Sequence, residues 1–214
     1  IINGAMGIDQ RNAGASINLN NGANWSVDRW QTYGSSGATT RATVQQNAGS
    51  VTPPTGFTNY LGVTSSGVYT PATSDYNVIY HKVEGYNMAD FAWGTSSART
   101  VTLSFWTYSS LTGTFGGSIQ NSAQNRNYNI SFNIPSANTW TYITITIPGD
   151  VTGTWLTGNN IGMWLFFAMG CGSGEVGTAN TWGSTALFGV TGQQNLFSVS
   201  GATFYITEIG RAHV

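Results

Sequence analysis

Charged residues are scarce in this chain of 214 residues: Asp, Glu, Lys and Arg make up 7% of the sequence, against about 25% in an average soluble protein. The seven basic residues are scattered and nearly balance the eight acidic ones, so the net charge is −1. Nucleic-acid binding needs clustered cations that displace counterions from phosphates. We therefore expect no nucleic-acid partner.

Cysteine and long apolar runs are also nearly absent. Cys171 is the single cysteine, which excludes an intrachain disulfide and a metal site built from several cysteines. No apolar run approaches the roughly 20 residues that a membrane-spanning helix needs. We therefore expect no membrane insertion.

Glycine and aromatic residues are abundant instead, with 28 glycines and an aromatic content of 13%. Disordered chains have few aromatic and β-branched residues, so this composition indicates a folded protein. Helical patterns are confined to a short turn around residues 87–92. Strand-like alternation recurs between clusters of Gly, Ser, Asn and Pro. The predicted strands are residues 26–33, 42–46, 60–65, 76–84, 100–109, 113–119, 128–133, 139–147, 161–169 and 202–208.

Short strands at regular spacing are typical of an all-β sandwich or barrel. We expect residues 25–208 to form one such domain. Residues 1–24, rich in Gly, Asn and Ala, are predicted to be an extended arm packed on it. Residues 209–214 match the translation of a common sequencing adapter, which predicts a non-native tail on a gene fragment from an environmental sample.

Three predicted strands place large aromatic residues opposite their aliphatic stripe, because successive side chains of a strand face opposite sides. These residues are Trp106 and Tyr108 in strand 100–109, Trp140 and Tyr142 in strand 139–147, and Trp164 in strand 161–169. A flat ring suits the C–H face of a pyranose, whose hydroxyls need amide or hydroxyl partners. Asn127 and Asn129 are candidates for that role. Alternatively, the rings pack under a loop or against another subunit, and Trp164 suits the core best.

Two further tryptophans, Trp155 and Trp182, lie in loops rich in Gly and Thr. Each is a candidate sugar contact or, alternatively, an anchor that holds its loop on the domain.

The few charged residues in strands need partners, because a buried charge must be paired or bound to a metal. We expect an ion pair at the strand ends, either Arg29 with Glu84 or Asp28 with Lys82. The alternative is a Ca²⁺ site, which would need several oxygen ligands. Its candidate ligands are Asn3, Asp9, Glu84 and Glu208.

Catalytic signals are weak. A glycosidase needs two carboxylates about 5–9 Å apart, and the acidic residues here are dispersed. Asp150 and Glu175 are expected to be solvated in loops. Neither a Gly-x-Ser-x-Gly elbow nor a motif linking Cys171 with His81 is present. We therefore expect that the domain is not an enzyme.

Eight segments, in order along almost the whole chain, resemble a family of bacteriophage tail and virion structural proteins. They are NGAMGIDQRNAG (3–14), SVDRW (26–30), VEGYN (83–87), FAWGT (91–95), TVTLSFW (100–106), LTGTFGG (111–117), IPGD (147–150) and ATFYIT (202–207). The resemblance implies a jelly-roll sandwich of two antiparallel sheets, similar to carbohydrate-binding modules. It also implies display on a virion outside the cell, contacts with other virion subunits, and one structural Ca²⁺.

Together, the residues and the resemblance predict a non-catalytic carbohydrate-binding module of a phage tail or virion protein. Its partner would be an oligo- or polysaccharide. The alternative is a purely structural virion domain whose aromatic face is a subunit interface. The family has no fixed binding motif, so the candidate sugar contacts rest on the strand pattern.

Overall fold

The computed structural model describes residues 1–35, 37 and 39–213, and its regular secondary structure is mostly strand. The strands are β1 (Ile17–Leu19), β2 (Gly22–Trp25), β3 (Trp30–Gly34), β4 (Ala42–Gln46), β5 (Leu61–Ser65), β6 (Tyr76–Glu84), β7 (Val101–Ser109), β8 (Gly113–Asn121), β9 (Asn127–Ile134), β10 (Thr141–Ile147), β11 (Ile161–Cys171), β12 (Val176–Gly177), β13 (Trp182–Gly183), β14 (Gly189–Val190) and β15 (Thr203–His213). Short 3-10 helices span Ala48–Ser50, Gly85–Asn87, Ala89–Phe91 and Leu196–Ser198. Within the described part of the chain, no helix has the length and hydropathy to cross a membrane.

Thirteen of the described strands form two antiparallel sheets that pack face to face, and β12 and β14 form a separate short parallel pair. Sheet A has the order β1-β4-β5-β15-β7-β10, and sheet B has the order β13-β9-β8-β11-β6-β3-β2. The chain passes from sheet to sheet at β5, β6, β7 and β8 in turn, as in jelly rolls. The predicted all-β sandwich of two antiparallel sheets is confirmed.

The core lies between the sheets and contains the aliphatic stripes that the alternation predicted. Val101, Leu103 and Phe105 of β7 are all buried. Phe105 meets Phe167 of β11 edge-to-face across the sandwich, with ring centroids 5.1 Å apart. The interior between the sheets is close-packed. Because successive side chains of a strand face opposite sides, the remaining side chains of each strand lie on the outward face of its sheet.

The predicted strand 26–33 is divided by a turn. Arg29 has a φ of 75°, a left-handed conformation that cannot continue a strand. The turn is closed by the Ser26 N–H, which donates to the Trp30 carbonyl at 3.0 Å. As a result, β2 and β3 form a hairpin at the edge of sheet B.

Both ends of the domain contribute strands. Where the sequence indicated an arm, β1 pairs with β4 of sheet A and β2 pairs with β3 of sheet B. At the other end, β15 continues past a bulge at Glu208, and the Ile209 N–H donates to the Gly4 carbonyl at 3.0 Å. The backbone of residues 209–213 therefore extends β15, and its non-native origin stays a prediction.

Candidate functional site

The outward face of sheet B carries a row of aromatic side chains at the centre of the sheet. In β6, Ile79 and Val83 point into the core, so Tyr80 and Lys82 point outward. The antiparallel register places Phe166 of β11 opposite Tyr80, and Trp164 opposite Lys82. These side chains therefore share one surface, although they come from distant parts of the chain.

These rings line an open depression of about 220 Å³, which we call the aromatic groove. Its lining residues are Ala23, Tyr33, Tyr76, Tyr80, Gln124, Trp164, Phe166 and Phe188. Trp164 and Phe166 are nearly parallel at 8°, with centroids 5.8 Å apart. Tyr76 stacks on Phe188 at 3.9 Å and on Tyr33 at 5.3 Å. Because each ring is held by its neighbours, the groove is preformed.

One wall of the groove is supplied by residues 172–195, the covering segment, which crosses the outward face of β8 and β9. Amides fasten it: Gln120 Nε2 donates to the Leu187 carbonyl at 2.9 Å, and the Asn180 N–H donates to the Asn129 carbonyl at 2.7 Å. Phe188 projects from this segment onto Tyr76. The segment therefore covers the outward face of β8 and β9 and borders the part of the face formed by β3, β6 and β11.

The hydroxyls of Tyr76 and Tyr80 stay protonated at ordinary pH. Burial raises the pKa of Tyr80 to about 12. Burial, followed by the nearby Tyr33, raises the pKa of Tyr76 further. A neutral phenol both donates and accepts a hydrogen bond. The groove therefore combines apolar ring faces with neutral polar groups.

A second depression, which we call the lysine pocket, adjoins the groove and has a volume of about 190 Å³. Its lining residues are Trp25, Arg29, Gln31, Lys82, Val83, Glu84, Asn159, Asn160 and Ile161. The predicted ion pair between Arg29 and Glu84 is present. The other predicted pair does not form, because Asp28 accepts from the Gln10 N–H at 2.7 Å and faces Arg11.

Of the predicted sugar contacts, Trp164 lies in the aromatic groove. Trp106, Tyr108, Trp140 and Tyr142 lie on the outward face of sheet A, on the opposite side of the sandwich. Trp106 and Tyr142 are neighbours there, with ring centroids 5.2 Å apart, and Tyr142 is 52% exposed. The two sets of rings therefore belong to different surfaces.

Tyr108 and Trp140 are partly covered by a loop at residues 47–59. Tyr108 stacks on Tyr205 at 5.2 Å, and Trp140 meets Tyr60 edge-to-face at 5.4 Å. Trp140 Nε1 donates to the Thr52 carbonyl at 2.8 Å. This small cluster holds the loop on sheet A, as the loop-packing alternative predicted for these two rings.

Trp155 and Trp182 are loop anchors. Each packs edge-to-face on Trp93, at 4.8 Å and 5.2 Å respectively. Trp155 Nε1 donates to Asp150 at 2.9 Å, and Trp182 Nε1 donates to the Pro148 carbonyl at 3.0 Å. The three tryptophans close one end of the sandwich rather than line the groove.

Asn127 and Asn129 are buried beneath the covering segment. The Asn127 amide donates to Asn129, whose own amide donates to the Gly189 carbonyl. They border a small polar depression between β9 and the covering segment. Their amides therefore fasten the segment and are separate from the aromatic groove.

Sequence reasoning missed most of the groove, namely Tyr33, Tyr76, Tyr80, Phe166 and Phe188. The alternation within strands could have indicated three of them. Tyr76 and Tyr80 lie on the same face of β6, and Phe166 lies on the same face of β11 as Trp164. β11 is apolar on both faces, whereas β6 carries His81 and Lys82 among its apolar residues, so the pattern within each strand did not single out the outward face. The pairing of β6 with β11 was needed to bring the two faces together.

The predicted calcium ligands do not fit a metal site. Asn3 exchanges two hydrogen bonds with Ile8, and Asp9 accepts the backbone N–H groups of two later residues. Glu84 is occupied by Arg29. Among the residues that the structure describes, no three His, Cys, Asp or Glu side chains form a group that could hold a metal ion. The side-chain oxygens of three of the four predicted ligands, Asn3, Asp9 and Glu84, are therefore used within the chain.

No protein-family model matches the chain, and comparison with curated proteins finds no match. Among solved structures, it is similar to the enzymatically active domain of tailspike protein 4 of bacteriophage CBA120, at 14% identity and a TM-score of 0.47. That match covers 87% of this chain but 20% of the tailspike chain. The chain is also similar to the family 11 carbohydrate-binding module from Clostridium thermocellum in complex with a β-1,3-1,4-mixed-linked tetrasaccharide, at 19% identity and a TM-score of 0.42 over 92% of both chains. TmCBM61 in complex with β-1,4-galactotriose matches at 9% identity and a TM-score of 0.41, over 87% of this chain and 90% of that one. At these identities and scores, the function is inferred from the chain's own site.

Proposed function

We propose that this domain is a non-catalytic carbohydrate-binding module and that its ligand lies in the aromatic groove of sheet B. We further propose that it belongs to a phage tail or another virion protein, where it acts outside the cell beside other virion subunits. One observation carries the proposal: six aromatic side chains from four parts of the chain form one preformed, open groove.

The groove matches the two kinds of surface that a sugar presents. The C–H face of a pyranose packs on a flat ring, here the half-buried Trp164, and gains dispersion contacts. Its hydroxyls need hydrogen-bond partners, which the Tyr33 hydroxyl and the Gln124 amide supply at the rim. An open groove of this size fits one or two sugar units of a longer chain. Affinity for one site is expected in the ~µM to mM range, increased by many copies on a virion.

The absence of carboxylates from the groove lining favours binding over hydrolysis. Glycosidases place two carboxyl groups about 5–9 Å apart across the bond that they cleave. Among the described residues that line the aromatic groove, none is Asp or Glu. Glu84, in the adjoining lysine pocket, is paired with Arg29. We therefore assign the groove to recognition alone.

The test is a glycan array followed by titration calorimetry with wild type, Trp164→Ala and Trp106→Ala. We expect Trp164→Ala to weaken binding at least tenfold, because it removes a central ring of the contact. Trp106→Ala, a matched change on the opposite sheet, is expected to bind like wild type. Binding is also expected to survive EDTA. Circular dichroism of each variant shows that it is folded.

The reverse result, with loss in Trp106→Ala alone, would move the sugar site to sheet A and overturn the assignment to sheet B. If folded wild type bound no glycan on the array or in titration, the carbohydrate-binding proposal itself would fall.

One observation favours the second candidate function, a structural subunit interface. Trp106 and the half-exposed Tyr142 form an uncharged patch, and Tyr142 lies on β10, the edge strand of sheet A. Exposed strand edges readily pair with another chain. On this view, wild type sediments as an oligomer at about 100 µM and Tyr142→Asp sediments as a monomer, because the new charge would be buried unpaired. A monomeric wild type would count against this interface.

A further inference from the structure

A single cation stands where the aromatic groove meets the lysine pocket. Lys82 is the one lysine of the chain, and it lies opposite Trp164 in the pairing of β6 with β11. Its Nζ is 4.9 Å from the Trp164 ring and 5.8 Å from the Tyr80 ring. The ammonium therefore lies over both rings, at the end of the groove that faces the lysine pocket.

The charge of Lys82 is not compensated by a carboxylate. Ion pairs in the described part of the chain join Arg11 to Asp28, Arg29 to Glu84, and Arg126 to Asp150, and none involves Lys82. Glu84 lies two residues along the same strand, but Arg29 and Asn87 already bind its two oxygens. Ring faces attract a cation only moderately. The half-buried ammonium of Lys82 can therefore still bind an anion.

The surroundings of Lys82 match an anion attached to a sugar better than a free ion. The equatorial substituents of a pyranose project from the edge of the ring, close to its mean plane. A pyranose seated in the groove next to Lys82 would therefore direct such a substituent toward Nζ, which lies over the indole. Beyond Lys82, the pocket is lined by the amides of Gln31, Asn159 and Asn160, which suit the hydroxyls of the next unit.

We propose that the groove takes an acidic saccharide, in which a sugar unit packs on the accessible part of Trp164 and its carboxylate or sulfate binds Lys82. The inference rests on the proposed function and specifies its ligand class. A charge-assisted hydrogen bond from an ammonium to an anion is about twice as strong as a neutral one. Lys82 therefore determines selectivity for acidic over neutral saccharides. The aromatic rings contact both kinds of saccharide in the same way.

The test measures binding to polygalacturonate, which is carboxylated, to a sulfated galactan, and to neutral galactan. The variants are Lys82→Met, which keeps the apolar stem, Lys82→Arg, which keeps the charge, and Trp164→Ala. Arg99→Met is the matched control, because it removes one positive charge at an exposed position that lines neither depression.

We expect wild type to prefer one of the two acidic polymers at least tenfold over neutral galactan, and the preferred polymer identifies the anion. Lys82→Met is expected to abolish that preference, Lys82→Arg to retain most of it, and Arg99→Met to leave it unchanged. Salt near 0.5 M should weaken the acidic interaction alone, because screening acts on charge.

Two results would overturn the inference. If Lys82→Met bound acidic polymers as tightly as wild type, or wild type preferred neutral galactan, the ligand would not be recognised through this lysine. In either case a loss of binding in Trp164→Ala would still support the groove as a sugar site. If folded wild type bound none of the polymers and no glycan on the array, the inference and the proposed function would fall together.

Discussion

Replacing Asp150 by Asn is expected to lower the free energy of unfolding by about 3–5 kcal/mol, the usual cost of removing one partner of a buried ion pair. The Asp150 side chain is 1% exposed, and that of its partner Arg126 is 20% exposed. Arg126 donates to it through Nε and Nη2 at 2.6–3.0 Å, and Trp155 Nε1 donates at 2.9 Å. Asn has one acceptor oxygen and turns an N–H toward these donors, so Arg126 would be left without its anion.

The environment of Asp150 also makes its ionised form the stable one. Burial alone would raise the pKa of this carboxyl, but the hydrogen bonds from Arg126 and Trp155 hold it below its usual value. The expectation that Asp150 is solvated in a loop is wrong, because its side chain is buried. The loop folds back onto the end of the sandwich, where Trp155 donates to Asp150 and the Trp182 ring lies 5.4 Å from the Arg126 guanidinium.

Urea unfolding of wild type and Asp150→Asn measures the change directly. It should be accompanied by a fall in Tm on the order of 10 °C. Asp28→Asn is the matched control, because Asp28 faces the exposed Arg11 at 3.7 Å, and surface pairs contribute at most about 1 kcal/mol. Equal losses in the two variants would mean that the ion pair of Asp150 does not stabilise this end of the domain.

Acidification from pH 7 to pH 4 is expected to cost about 3 kcal/mol of stability through His81 alone. His81 is fully buried, its ring meets Trp30 edge-to-face at 5.0 Å, and Nε2 of the neutral ring donates to the Ile2 carbonyl at 3.0 Å. Burial lowers its pKa from 6.5 to about 4. Between these two values the unfolded chain binds a proton that the folded protein does not. Stability is therefore intact above about pH 6.5 and declines as the pH falls toward 4.

His81→Gln separates this contribution from that of the carboxylates, which also lose stabilising contacts in acid. Denaturant unfolding at pH 7, 5.5 and 4 measures the free energy of unfolding. From pH 7 to pH 4 this free energy should fall by about 3 kcal/mol more in wild type than in His81→Gln. His213→Gln serves as the control for the loss of a histidine. If His81→Gln lost as much stability in acid as wild type, the buried ring would not be the source of the pH dependence.

Much of the fold could be predicted from the sequence because alternation is a local property. The inward residues of β7 and the stripe of β10 were assigned correctly, since each depends on its own strand alone. The ion pair between Arg29 and Glu84 was one of two predicted pairs. The sequence could narrow the choice to two because so few charged residues lie in strands. The predicted strand at residues 26–33 was wrong, because its alternation does not indicate the left-handed backbone of Arg29 that ends the strand.

The sequence by itself determined that this chain folds as a β-sandwich, which residues fill the core, and that large rings remain on the outer faces. Only the tertiary structure decided which of those faces forms a site. Two events far apart in sequence made that choice: β6 paired with β11, which put Tyr80 beside Phe166, and the covering segment docked on Asn129. The alternation within one strand specifies which side a residue faces, but not which strand lies next to it or which loop covers it. Trp106, Tyr142 and Trp164 therefore have the same strand pattern in the sequence. Of these three residues, long-range strand pairing places only Trp164 in the aromatic groove.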